Sequence, residues 1–136
     1  EKMAFAYRSS LLKREPQPVL ILAATLALER GETSAIQAKM KKLAARRRST
    51  QPPGASMGSM FKNPPGDFAG RLIEAAGLKG KRIGNAEISP IHANFFINHG
   101  QTSAKDVKAL IDLARKTVEA RFGVPLELEI ELIGEW

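Results

Sequence analysis

The sequence contains no cysteine among its 136 residues. That excludes disulfides and thiolate metal sites, and it fits a reducing compartment. Aromatic residues are scarce at 6%, with one Trp and one Tyr, so few rings are available for stacking on unpaired bases. Two histidines, His92 and His99, are too few for a convincing metal site. No apolar run approaches the roughly 20 residues that span a bilayer; the longest, Val19 to Leu28, is interrupted by Thr25 and has the length of a strand. The chain opens with charge and shows no cleavage pattern, so no signal peptide is expected. It does not begin with Met, as a piece of a longer protein would not. A Gly-x-x-x-x-Gly-Lys-Ser/Thr pattern is also missing, which excludes a Walker-type phosphate loop.

Hydrophobic residues make up 43%, enough for a core and too many for a disordered chain. The length suits one compact domain or one part of a larger protein. Net charge is +7, from 21 basic and 14 acidic residues, and much of the excess sits in "KMKKLAARRR" (Lys39 to Arg48). An anionic partner or a solvated basic face both satisfy that charge.

The pattern of residues predicts an α+β or α/β protein: a small sheet with helices packed on one side. Residues 1–14 read as an edge or an entering segment, and Pro16 and Pro18 mark a turn. "VLILAATLALER" predicts a buried strand ended by Gly31. A helix follows, capped by Thr33 or Ser34, with Ile36, Met40 and Leu43 at helical spacing and late cations suited to the negative end of its dipole. Residues 51–66 hold Pro52, Pro53, Pro64 and Pro65 with Gly54, Gly58 and Gly66, which forbids a helix there. "DFAGRLIEAAG" predicts a short helix with Asp67 as cap and Gly77 just past its end. A glycine turn covers residues 80–84, and residues 94–98 read as a strand. The clearest helix runs from Ser103 to Phe122, with "SAKD" as a capping box and Val107, Leu110, Ile111, Ala114, Val118 and Phe122 as its apolar stripe. In "LELEIELI" (Leu126 to Ile133) apolar residues alternate with Glu127, Glu129 and Glu131, which predicts a half-buried strand.

The stretch with most chemical content is "GSMFKNPPGDFAG" (Gly58 to Gly70). Ser59, Lys62 and Asn63 sit between glycines and prolines. A Gly-Ser pair is ordinarily a turn; here a nearby ammonium favours negative charge on the hydroxyl oxygen, and the carboxamide offers both donor and acceptor. Arg8, in "YRSS", is ordinarily a surface residue, but its planar fork also suits a carboxylate or phosphate. Three glutamates on one strand face are ordinarily solvated, and spacing alone does not say which of them acts as an acid or base. The basic helix admits nucleic-acid binding, although it lacks interleaved aromatics.

Several of these stretches occur together and in order: "FAYRSS", "RRRSTQPPGASMGSMFKNPPGDFAGRLIEAAGLKGKRIGNAEIS", "HANFFIN" and "VPLELEIELIG". On them the chain resembles the C-terminal part of the UDP-N-acetylenolpyruvoylglucosamine reductase (MurB) family, the flavoenzymes of peptidoglycan precursor synthesis. The likeness covers nearly the whole chain, and "GSMFKNP" with "AGRLIEAAGLKGKRIG" is its most specific part. It implies Arg8, Ser59 and Glu129 as catalytic residues and Tyr7, Lys62, Asn63 and His92 as substrate-binding ones. Glu129 follows from the register set by Ile133-Gly134; because Leu128 departs from the family's usual Pro or Arg, Glu127 and Glu131 stay open. Gly84-Asn85 stands where the family often has Gly-Gly, and residues 51–59 run one residue short, which leaves contacts by Thr50 or Gln51 open.

The same resemblance implies FAD as cofactor, NADPH as reductant, and the enolpyruvyl ether of UDP-N-acetylglucosamine as substrate, in the bacterial cytoplasm and without membrane or nucleic-acid partners. The family's glycine-rich flavin motifs are missing, and so is the tyrosine-bearing loop of its longer type. Residues 1–32 are therefore expected to end the flavin domain and residues 33–136 to form the substrate domain, inactive alone. The competing expectations are a small basic nucleic-acid-binding α+β domain, and a partner-binding domain that has lost activity.

Overall fold

The computed structural model of the chain describes residues 3–14 and 19–135. The turn expected at Pro16 and Pro18 lies outside the described residues. Two compact units divide the chain between Met40 and Lys41, and each is described by itself.

In the first unit, Ala6 and Ser9 exchange both backbone hydrogen bonds, at 3.0 and 3.1 Å, and close a two-residue turn with Tyr7 and Arg8 at its tip. A single helical turn follows, α1 (Leu11–Arg14). The buried strand expected over Val19 to Leu28 does not form. Residues 19–32 carry no regular element and their side chains are exposed, Leu22 and Leu28 to 87% each. The reason is backbone satisfaction: a strand needs a neighbour for its N–H and C=O groups. Among the described residues no strand pairs with this segment. Apolar content made the segment strand-like; pairing decides whether it becomes one.

Helix α2 (Thr33–Thr50) crosses the division and carries Arg47 and Arg48 in its last turn. None of its residues is buried, so Ile36, Met40 and Leu43 form no core stripe.

The second unit holds a four-stranded antiparallel sheet in the order β1-β4-β3-β2: β1 (Ala55–Ser59), β2 (Arg82–Ile83), β3 (Ala86–Ile88) and β4 (Phe95–Asn98). Strand β1 arises inside the proline- and glycine-rich stretch expected to be irregular. Those residues forbid a helix, but an edge strand tolerates them. Strands β2 and β3 meet at the two-residue turn Gly84-Asn85, with Gly84 at φ +53°. Alternation puts Ala86, Ile88 and Phe96 on one face, where they join the core with helices α3 (Ala69–Ala75) and α4 (Ala104–Phe122). The fold class is thus the expected one, α+β with helices on one side of a small sheet.

Helix α4 follows the apolar period. Leu110, Ile111, Ala114 and Val118 are buried, and burial contributes about 1.5–3 kcal/mol for each large aliphatic side chain. Phe122, at the helix end, stays partly exposed. The capping box closes in both directions: Asp106 N–H donates to Ser103 Oγ at 3.1 Å, and Ser103 N–H donates to Asp106 Oδ2 at 3.1 Å. Gly123 ends the helix in the left-handed conformation. For α3 the cap is Phe68 rather than Asp67. Asp67 instead accepts the Phe68 N–H and grips Arg71 one turn on, so its carboxylate is already taken.

The expected C-terminal strand is reduced to one bridge, Phe61 with Leu128, flanked by bonds from Lys62 N–H to Glu127 O and from Glu129 N–H to Met60 O. The alternation survives without the extended ladder: Leu126 is buried, Leu128, Ile130 and Leu132 pack on the core, and Glu127 and Glu131 are exposed.

Candidate active site

The site begins with an irregularity in β1. Ser56 pairs with Ile97, but Ser59 pairs with Phe95, so three steps along β1 match two along β4. This is a β-bulge, and one extra residue reverses which face the next side chain occupies. Ser59 falls on the Phe95 face while Met60 remains in the core. Gly58 makes the bulge possible, because its φ of +82° is a conformation that L side chains rarely adopt.

Ser59 lines an open cavity of about 390 Å³ together with Asn63, Gly70, Arg71, His92 and Asn94, among others. Three of the residues expected to contact substrate or proton, namely Ser59, Asn63 and His92, therefore share one cavity. Asn63 Oδ1 accepts the Ala69 N–H at 3.1 Å, which satisfies an orphan donor of α3's first turn and ties the loop to that helix. Arg71 holds Asp67 bidentately along one guanidinium edge, Nε donating to Oδ1 and Nη2 to Oδ2. That bond, with the Phe68 N–H, lowers the Asp67 carboxyl to about 2 and raises the Arg71 guanidinium.

His92 sits in a loop wound around Ser89, whose buried hydroxyl accepts the N–H groups of Ile91 and His92 at 3.1 and 3.2 Å. Its ring is edge-on to Phe95 at 4.9 Å between centroids. The Asn94 N–H donates to His92 Nδ1 at 3.2 Å, so in the neutral ring the proton belongs on Nε2. Gly70 gives the ring room: a Cβ there would lie 3.0 Å from His92 Cε1.

Asn94 is the residue that sequence reasoning missed. It is buried, its Oδ1 accepts the Phe61 N–H at 2.9 Å, and its Nδ2 donates to Phe61 O at 2.8 Å. Its backbone carbonyl accepts the Met60 N–H at 2.8 Å. An asparagine opening an apolar strand carries no sequence signal for such a clamp.

The other expected residues lie elsewhere. Lys62 pairs with Glu127, a carboxylate 72% exposed. Glu129 is half-buried, in contrast to Glu127 and Glu131. Tyr7 and Arg8 belong to the first unit, where the Arg8 guanidinium stacks over the Tyr7 ring at 5.6 Å and Arg8 takes a φ of +52°. That conformation is uncommon for a residue with a side chain, and Ala4 and Gln101 share it. Among the described residues no helix is long and apolar enough to cross a membrane, and no group of three or more His, Asp or Glu is placed to hold a metal ion.

Fold and cavity together define a class: an α+β domain with an open polar site where the bulged strand meets a short helix. The family model "UDP-N-acetylenolpyruvoylglucosamine reductase, C-terminal domain" matches residues 49–133, and the chain belongs to that family. The UDP-N-acetylenolpyruvoylglucosamine reductase of Chloroflexus aurantiacus is 55% identical over 134 residues, covering 96% of this chain and 45% of that protein. The enzyme of the same name numbered 2 in Symbiobacterium thermophilum is 48% identical over 136 residues, covering 98% of this chain and 43% of that protein. The crystal structure of UDP-N-acetylenolpyruvylglucosamine reductase (MurB) from Thermus caldophilus superposes with a TM-score of 0.65 at 44% identity, over 77% of this chain and 37% of that one. The chain thus spans about half the length of the curated relatives it matches.

Proposed function

We propose that the chain is the substrate-binding part of a UDP-N-acetylmuramate dehydrogenase, a bacterial cytoplasmic oxidoreductase of peptidoglycan precursor synthesis. Its substrate is the enolpyruvyl ether of UDP-N-acetylglucosamine, with FAD as cofactor and NADPH as reductant. Residues 1–32 end the flavin domain and residues 33–136 form the substrate domain. The family assignment favours this reading over the nucleic-acid one, which rested on the charge of α2 alone.

The cavity at Ser59 does not fit FAD. It is framed by hydroxyl, carboxamide, imidazole and guanidinium groups, with the Glu74 carboxylate and the apolar Phe68 and Ile91 beside them, a mixed lining that offers a sugar both donors and acceptors. The short helix beside it opens on Phe68-Ala69, not on the glycine turn that grips a dinucleotide pyrophosphate. The flavin belongs to the N-terminal domain of the same protein, and its chemistry is supply of the hydride.

The chain's own groups handle charge and proton. Arg8 pairs with the substrate carboxylate, and Glu129, in its protonated form or through a bridging water, hydrogen-bonds the charge that gathers there as the double bond is reduced. Ser59 Oγ gives its proton to the adjacent carbon. Tyr7, Asn63 and His92 contact the substrate, with His92 offering its Nε2–H. Lys62 favours the serine alkoxide or a substrate anion. Its pair with Glu127 does not block this, because exposed pairs contribute at most about 1 kcal/mol and exchange readily. Alone, without the flavin domain, the chain does not turn over.

The observation that carries the proposal is that Ser59 is turned by the bulge into the cavity it shares with Asn63 and His92. The test is Ser59→Ala in the complete reductase that contains this chain. Flavin reduction by NADPH is expected to be unchanged, and substrate reduction to slow by about 10²-fold or more. Equal slowing of both half-reactions would refute the role of Ser59.

A further inference from the structure

We infer that Asn94 is a positioning residue for Ser59, its carboxamide replacing a rung of the sheet that the backbone cannot supply. The inference rests on the reading of Ser59 as proton donor.

The β1–β4 ladder breaks off where the site begins. Past Phe95 the β4 backbone turns into the 89–94 loop, and its donors are taken within that loop: the Phe95 N–H by His92 O at 2.9 Å and the Asn94 N–H by His92 Nδ1. Only the Asn94 carbonyl remains for β1, and it accepts the Met60 N–H. The next residue, Phe61, is 1% exposed, and its N–H and C=O face β4 with no backbone partner there. A carboxamide has the acceptor and donor of a peptide group, and Asn94 presents both to Phe61.

Two consequences follow for the cavity. The segment just after the bulge is fixed from both sides, by Asn94 on one and by Glu127 and Glu129 on the other, so the position of Ser59 is set. The Asn94 backbone N–H, which a substitution at residue 94 leaves in place, orients the His92 ring. The two polar walls of the cavity are joined at Asn94. A buried polar pair left half-satisfied is costly, so an apolar side chain of similar size does not replace it.

In the complete reductase, Asn94→Ala is expected to slow substrate reduction by about 10–100-fold, as a misplacement of about 1 Å does. Flavin reduction by NADPH should be unchanged. In a Ser59→Ala background the same substitution should add less than about 3-fold, because its effect runs through the hydroxyl. Multiplying losses in the double variant, or equal slowing of both half-reactions, would overturn the inference. If Ser59→Ala alone leaves substrate reduction unchanged, the role of Ser59 falls and this inference falls with it. A second readout does not depend on turnover or on a folded alanine variant. In the unaltered chain the Phe61 amide should exchange with solvent slowly, and in Asn94→Ser at least about 10-fold faster, with Leu110 unchanged. Rapid Phe61 exchange in the unaltered chain would overturn the clamp directly.

Discussion

Replacing Gly84 by alanine tests how the β2–β3 hairpin and helix α4 depend on each other. Gly84 has a φ of +53°, and a Cβ added there would lie 2.5 Å from Asp106 Oδ2 and 2.7 Å from its Cγ. Asp106 is not free to swing aside, because Oδ2 accepts the Ser103 N–H in the capping box. The substitution therefore does two things. It forces alanine into the left-handed region, at about 1 kcal/mol, and it expels the carboxylate from its cap, at about 1 kcal/mol more. The total is about 2 kcal/mol, or a fall in Tm of about 10 °C for a unit of this size. Asp106→Ala alone should cost about 1 kcal/mol. With the cap already lost, Gly84→Ala should then cost only its backbone part, so the double variant should lose about 2 kcal/mol rather than 3. Chemical denaturation of the four proteins measures this cycle. Strict additivity would show that residue 84 never meets the carboxylate, and the steric argument would be wrong.

Two other predictions concern the cavity rim. Asp67 should titrate at about 2, with Arg71 and the Phe68 N–H as the cause. The sign follows from the depressed value: whatever stability the carboxylate gives is complete above the ordinary range near 4 and is lost as pH falls through about 2. Carboxyl NMR checks it, and Arg71→Ala should move the midpoint up; no movement would refute the assigned cause. Gly70→Ala, in the first turn of α3, puts a Cβ 3.0 Å from His92 Cε1 and should shift the His92 Cε1–H resonance as the ring is displaced. An unmoved resonance would show that the ring does not lie against α3.

Periodic features were readable in advance. Helix α4, its capping box and its glycine stop follow from spacing and cap chemistry that operate within one turn. Strand identity was less readable because it is relational. "VLILAATLALER" has strand composition and no strand beside it, whereas "ASMGS" has poor composition and β4 to pair with. The site divides the same way. Ser59, Asn63 and His92 could be named from the family's pattern, but the bulge that turns Ser59 to the Phe95 face, and Asn94's grip on Phe61, depend on pairing between residues more than thirty apart. No local rule reports such a pairing.

Helix α2 has a practical consequence for handling the protein. A helix draws most of its stability from tertiary packing, and α2 buries none of its residues. Lys39, Lys41, Lys42, Arg46, Arg47 and Arg48 all lie on it. A protease specific for basic residues therefore finds its targets concentrated in a helix with no buried residue, just ahead of Ser49. Limited digestion would release a core whose start coincides with the first residue matched by the family model.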